Sequence, residues 1–185
     1  MRAGTPNMFL RFAHCNLKCN IKEYGFDCDT DFTGSRDMNL DELMEEIIEV
    51  AGTCRNIIFT GGEPMLQLDE PLVSALKKEG YYLAVETNGT CESDVYPLLD
   101  WVTVSPKTAE HTMRVPKCDE LKYVLPSRKE PPVPSIEAAY YLLSPVFNGY
   151  EIDRESLAWC VAQVNKVGKI PWRLSVQNHK FWKAR

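Results

Sequence analysis

Cys15, Cys19 and Cys28 are the residues whose type and spacing most clearly announce chemistry. Thiolates are soft ligands, and three on one short loop can hold three irons of a cubane while leaving the fourth open to a substrate or cofactor. A structural zinc site would want four ligands. The nearest residue able to complete one is His14, adjacent to Cys15 and badly placed to chelate with it. The cysteines therefore read as ligands of one iron-sulfur cluster, with a zinc-binding interaction module as the non-enzymatic alternative. The chain has seven cysteines, and Cys54, Cys91, Cys118 and Cys160 lie in no chelating spacing, so they read as buried or free thiols.

The elements that must position this loop follow from periodicity. The apolar, aromatic run 7–12 reads as a strand leading directly into the cysteines. Leu40, Leu43, Met44, Ile47 and Ile48 recur at helical spacing behind Asn39, predicting a helix that ends at Gly52. Residues 56–60 read as a strand followed by Gly61-Gly62, 69–79 as a helix stopped by Gly80, and 82–86 and 101–104 as strands. Further strands are predicted at 121–125, 140–143 and 172–176, with a helix over 153–167 and an ordered loop over the proline-rich 126–134. The alternation predicts an α/β fold with a parallel sheet and crossover helices, in one domain spanning 1–185. In such folds the active site lies at the C-terminal strand ends, where the polar segments 13–29, 61–64, 87–89, 105–107 and 177–180 all fall.

Composition narrows the partners. A formal net charge of -5 argues against a nucleic-acid binder, which would carry a basic stripe. No apolar run approaches the ~20 residues a membrane span needs, and the opening residues lack a signal-peptide layout, so a cytoplasmic location and a small-molecule substrate are expected.

Cys15-Asn16-Leu17-Lys18-Cys19, Cys28-Asp29-Thr30 and Thr60-Gly61-Gly62-Glu63-Pro64 together resemble the radical S-adenosylmethionine (radical SAM) superfamily. Glu86-Thr87-Asn88-Gly89-Thr90, Ser105-Pro106-Lys107, Leu121-Lys122-Tyr123-Val124 and Gln177-Asn178-His179-Lys180 narrow the resemblance to the 7-carboxy-7-deazaguanine synthases. That resemblance implies a partial, incomplete TIM-like barrel of parallel strands with outer helices. It also implies a 4Fe-4S cluster on the three cysteines, SAM, magnesium on Thr30, and ring contraction of 6-carboxy-5,6,7,8-tetrahydropterin with loss of ammonia. By the same resemblance Gly61, Gly62, Glu63, Glu86, Asn88, Ser105, Lys107 and Gln177 would bind SAM, while Arg11, Gly89, Thr90, His179 and Lys180 would meet the substrate. A flavodoxin- or ferredoxin-type reductase and a homodimer are implied as partners. The other enzymatic reading is a glycyl-radical activating enzyme, which shares the cluster loop but acts on a protein.

Two features depart from the family pattern. Eight residues separate Cys19 from Cys28 where the superfamily usually has two. The family's first strand and its Gln-Gly-Glu-Gly segment would precede Met1.

Overall fold

A computed structural model describes residues 4–30 and 34–181. Seven strands, β1 (Met8–Phe12), β2 (Asn56–Gly61), β3 (Tyr82–Thr87), β4 (Trp101–Val104), β5 (Cys118–Val124), β6 (Ala138–Ser144) and β9 (Trp172–Leu174), form one all-parallel sheet in that order. Each strand pairs with the next one laid down in this sheet, from Met8 opposite Ile57 to Leu143 opposite Leu174. β1 and β9 are its edges, so the sheet is an incomplete barrel. β7 (Phe147–Asn148) and β8 (Glu151–Ile152) make a separate small hairpin.

The strands alternate. In β2 and β3, Ile57, Phe59, Leu83 and Val85 are fully buried, whereas Ile58, Thr60, Ala84 and Glu86 are only half-buried. A parallel sheet with helices on both faces would read as a continuous apolar run. Here one face meets helices and the other faces a cavity.

The outer helices are α2 (Leu40–Ala51), α3 (Glu70–Lys78) and α4 (Arg154–Val164). Asn39 caps α2 with a reciprocal capping box to Glu42, Asp69 caps α3, and Asp153 caps α4. The connections from β3 to β4 and from β4 to β5 carry only single 3-10 turns. Val95 and Tyr96, beside the first of these turns, bury themselves against the sheet where a helix would otherwise sit. Side chains take over some strand hydrogen bonding there: Asp100 accepts from Leu83 N at 2.7 Å and Asp119 from Val102 N at 2.8 Å.

The proline-rich loop is ordered by Glu110. Its carboxylate accepts from Ser135 N at 2.6 Å, Ile136 N at 3.2 Å, the Ser135 hydroxyl and the Tyr123 hydroxyl. On the other side Trp159 of α4 donates to Lys129 O at 2.7 Å. No helix among the described residues is long and apolar enough to cross a membrane.

Several boundaries differ from the sequence reading, among them β6, which extends over Ala138–Ser144, and α4, which ends at Val164. β5 begins three residues earlier than expected, because Asp119 and Glu120, poor strand formers in general, have specific partners in β4. β9 is shorter than 172–176: after Ser175 N donates to Leu143 O, the chain turns inward to a short turn of helix, α5 (Asn178–Phe181). The gap between Cys19 and Cys28 holds one helical turn, α1 (Ile21–Tyr24), capped by Asn20 and ended by left-handed Gly25.

Candidate functional site at the strand ends

The C-terminal end of β1 runs straight into the cysteine loop. His14, immediately before Cys15, sits in the left-handed region at φ 65°, an uncommon conformation for a residue with a Cβ. It is fixed from β2: Gly62 N donates to Phe12 O at 2.9 Å, and Glu63 N donates to His14 O at 2.8 Å. The two backbones are so close that a Cβ on Gly62 would stand 1.8 Å from His14 O. Glycine is required here by contact with backbone, and Gly61, at φ +114°, by conformation as well.

The loop after β3 ties the cysteines from the other side. Asn88 Nδ2 donates to Asn16 Oδ1 at 2.9 Å and lies 4.0 Å from Cys15 Sγ, while Asn16 Nδ2 donates to Thr90 Oγ1 at 2.8 Å. Beneath them Glu63 is wholly buried. Its carboxylate accepts from Thr87 Oγ1 at 2.6 Å, Asn88 N at 2.7 Å and Met65 N at 3.1 Å. Burial pushes Glu63 above the usual carboxylate range, and these donors oppose that rise without cancelling it. Its side chain braces the end of β3, and the part of this motif that lines the cysteine cavity is Thr60, Gly61 and Gly62.

Cys15, Cys19 and Cys28 line one cavity of about 180 Å³ together with Thr30, Gly61, Gly62, Glu86, Asn88, Ser105, Lys107 and Gln177. Among the described residues no three His, Cys, Asp or Glu side chains converge tightly enough to grip a single ion. Three thiols sharing one cavity are soft ligands of the kind that hold the irons of a cluster. Burial raises the Cys15 and Cys19 thiols, so a metal binding there would displace protons.

Lys107 is the free cation of this cavity. Its ammonium donates to Ser105 Oγ at 2.6 Å, and among the described residues no carboxylate reaches ion-pair distance. Burial and then the Lys122 charge lower it to about 8. An anionic ligand group beside it would oppose this lowering by favouring the charged ammonium.

A second cavity of about 470 Å³ adjoins the first on the concave face of the sheet, sharing Thr30, Thr60, Glu86, Lys122 and Gln177 as walls. Arg11 and His179 line it, and the Phe9 and His179 rings lie 5.1 Å apart across the open seam between β1 and the C-terminal turn. Glu86 and Lys122 form an ion pair at the boundary. Glu120 lies in the same cross-strand row, since Glu86 registers with Thr103 and Thr103 with Glu120.

Three residues that the resemblance assigned to substrate lie elsewhere. Gly89 and Thr90 line neither cavity; Gly89 O accepts from Arg114 N, and Thr90 is tied to Asn88 and Asn16. Lys180 is engaged by Asp29. Asp29 and Lys122, which the residue-by-residue reading did not single out, are central here. Both sat inside quoted motifs, and only the fold shows their partners.

Comparisons with known proteins agree with this geometry. The family model of the Radical SAM superfamily matches residues 11–117. The 7-carboxy-7-deazaguanine synthase of Burkholderia multivorans is 37% identical over 97% of this chain and 90% of its own length. That of Bacteroides thetaiotaomicron is 34% identical over 96% and 87%. The crystal structure of QueE from Escherichia coli shares the fold, with a TM-score of 0.63 at 22% identity over 94% of this chain and 86% of that one. Similarity of this extent means that the chain belongs to the 7-carboxy-7-deazaguanine synthase family of the radical SAM superfamily.

Proposed function

We propose that this protein converts 6-carboxy-5,6,7,8-tetrahydropterin to 7-carboxy-7-deazaguanine with loss of ammonia. The observation that carries this reading is the pairing of a thiol-lined cavity with a larger cavity of mixed charge through a shared wall.

Cys15, Cys19 and Cys28 would hold the 4Fe-4S cluster, and the Gly61-Gly62 backbone with Asn88, Ser105, Lys107 and Gln177 would hold SAM. When bound, these groups supply the one-electron chemistry that starts the rearrangement. The chain's own work is orientation and exclusion. Lys107, which has no ion-pair partner among the described residues, would hold an anionic group beside the cysteines. Arg11 and Lys122 lie on the walls where a substrate carboxylate would need cations, and Glu86 is placed to accept N–H donors from the ring. The His179 and Phe9 rings would narrow the seam beside the substrate. Thr30 borders both cavities, where its hydroxyl could serve a magnesium ion that keeps substrate and water oxygens. A cytoplasmic location, a flavodoxin- or ferredoxin-type electron donor and a homodimer complete the reading.

Anaerobically reconstituted protein should be brown, carry roughly four irons, and turn over 6-carboxytetrahydropterin with SAM, reductant and magnesium. A cluster-loaded protein that cleaves SAM yet leaves the pterin unchanged would defeat the substrate assignment. Colourless protein holding one zinc would defeat the cluster.

A further inference from the structure

Asp29 stands between Cys28, the last of the three loop cysteines, and Thr30. Its Oδ2 accepts from Lys180 Nζ at 2.5 Å and from Gln177 Nε2 at 3.0 Å, and its Oδ1 accepts from the Thr30 hydroxyl at 3.4 Å. The Lys180 side chain is 9% exposed, and its ammonium lies 4.9 Å from the centre of the Phe147 ring. A buried ammonium is costly unless paired, so α5 can dock here only with a carboxylate at position 29. The dependence runs both ways. Residues 25–30 form no helix or strand, and Cys28 itself is exposed. Asp27 fastens the upstream part by accepting from Ile21 N at 2.9 Å, while Asp29 fastens the downstream part to the far end of the chain.

We infer that Asp29, Lys180 and Gln177 form a latch by which the C-terminal turn holds closed the loop end carrying Cys28 and Thr30. Lys180 is then a positioning residue acting through Asp29. Freed of it, the loop end would be held to the C-terminal turn only by Gln177, and the Cys28 thiolate would leave and return to its iron more often. The inference rests on Cys28 being a cluster ligand, as proposed above.

The test uses reconstituted holoenzyme under anaerobic conditions, following the loss of cluster absorbance to an excess of iron chelator. Losing one charge-assisted hydrogen bond should make Lys180→Met surrender iron about tenfold faster than the unaltered protein. Lys180→Arg, which keeps the charge and can reach the carboxylate, should restore most of the retention. Asp29→Ala, which also frees Gln177 and strands the Lys180 ammonium, should lose iron at least as fast as Lys180→Met, and adding Lys180→Met to it should bring no further acceleration. Val73→Ala separates the latch from general loosening: Val73 is a fully buried residue of α3, so this variant should melt earlier yet hold iron normally. Iron loss at the unaltered rate in Lys180→Met, or equal acceleration in Val73→Ala, would overturn the latch. Unaltered protein that retains no iron after reconstitution would instead overturn the cysteine assignment beneath it.

Discussion

Gly62 carries a stricter demand than its motif suggests. A Cβ there meets the carbonyl of His14 at 1.8 Å and its carbon at 2.4 Å, and these are backbone atoms that no rotamer change can move aside. Gly62→Ala should therefore cost at least about 3 kcal/mol and lower cluster loading, measured by chemical denaturation and iron content. Gly168→Ala, with nothing within 4 Å of its added methyl, should be silent in both. At this scale the sequence told which residues gather and less about what each one does. The three cysteines, Gly61, Gly62, Asn88, Ser105 and Lys107 line one cavity, and their order in the motifs was enough to expect it. The roles of Glu63 and Lys180 were hidden because a carboxylate or ammonium reads identically whether it faces a ligand or a buried donor. Glu63 holds Thr87 and Asn88, and Lys180 holds Asp29.

Elements with strong local signals were legible, and those held by distant side chains were not. α2 has its capping box and its apolar stripe written in the sequence, and it spans Leu40–Ala51 as expected. β5 does not advertise its first residues, because Asp119 and Glu120 belong in a strand only when β4 lies beside them. The ordered loop over 126–134 was expected from its prolines, but its anchor, Glu110, lies more than a dozen residues away. Burial alone would raise the Glu110 carboxyl, yet donors from Ser135, Tyr123 and Ile136 hold it below its ordinary range. A carboxyl depressed in the folded state contributes stability that is complete above its unfolded value and lost as pH falls through its folded value. Glu110→Gln should cost about 1–3 kcal/mol near neutrality. That difference should shrink on acidification below the ordinary carboxylate range, as paired urea titrations at several pH values would show; a pH-independent difference would refute the charge argument.

For the molecule as a whole, the seven-strand parallel sheet leaves two edges, and only its middle is covered by buried residues on the helix side. Local opening should follow this gradient. Amide hydrogen exchange should be slowest in β2 and β3, where Ile57, Phe59, Leu83 and Val85 are fully buried, and fastest at β9 and the loop of residues 25–30. Uniform protection from β1 to β9 would contradict it. The strand-helix alternation made the parallel sheet legible, and the incomplete barrel came from the family resemblance. The missing outer helices around β4 were not legible, since nothing in the local pattern says that Val95 and Tyr96 would do that covering.

The contact between Asp29 and Lys180 joins residues 151 positions apart. A ribosome makes the catch well before the bolt, with nearly the whole sheet emerging between the two. During synthesis the cysteine loop therefore stands unfastened on its downstream side. Iron that arrives during synthesis would meet a door still ajar, shut only when a segment 151 residues further along the same chain has been made.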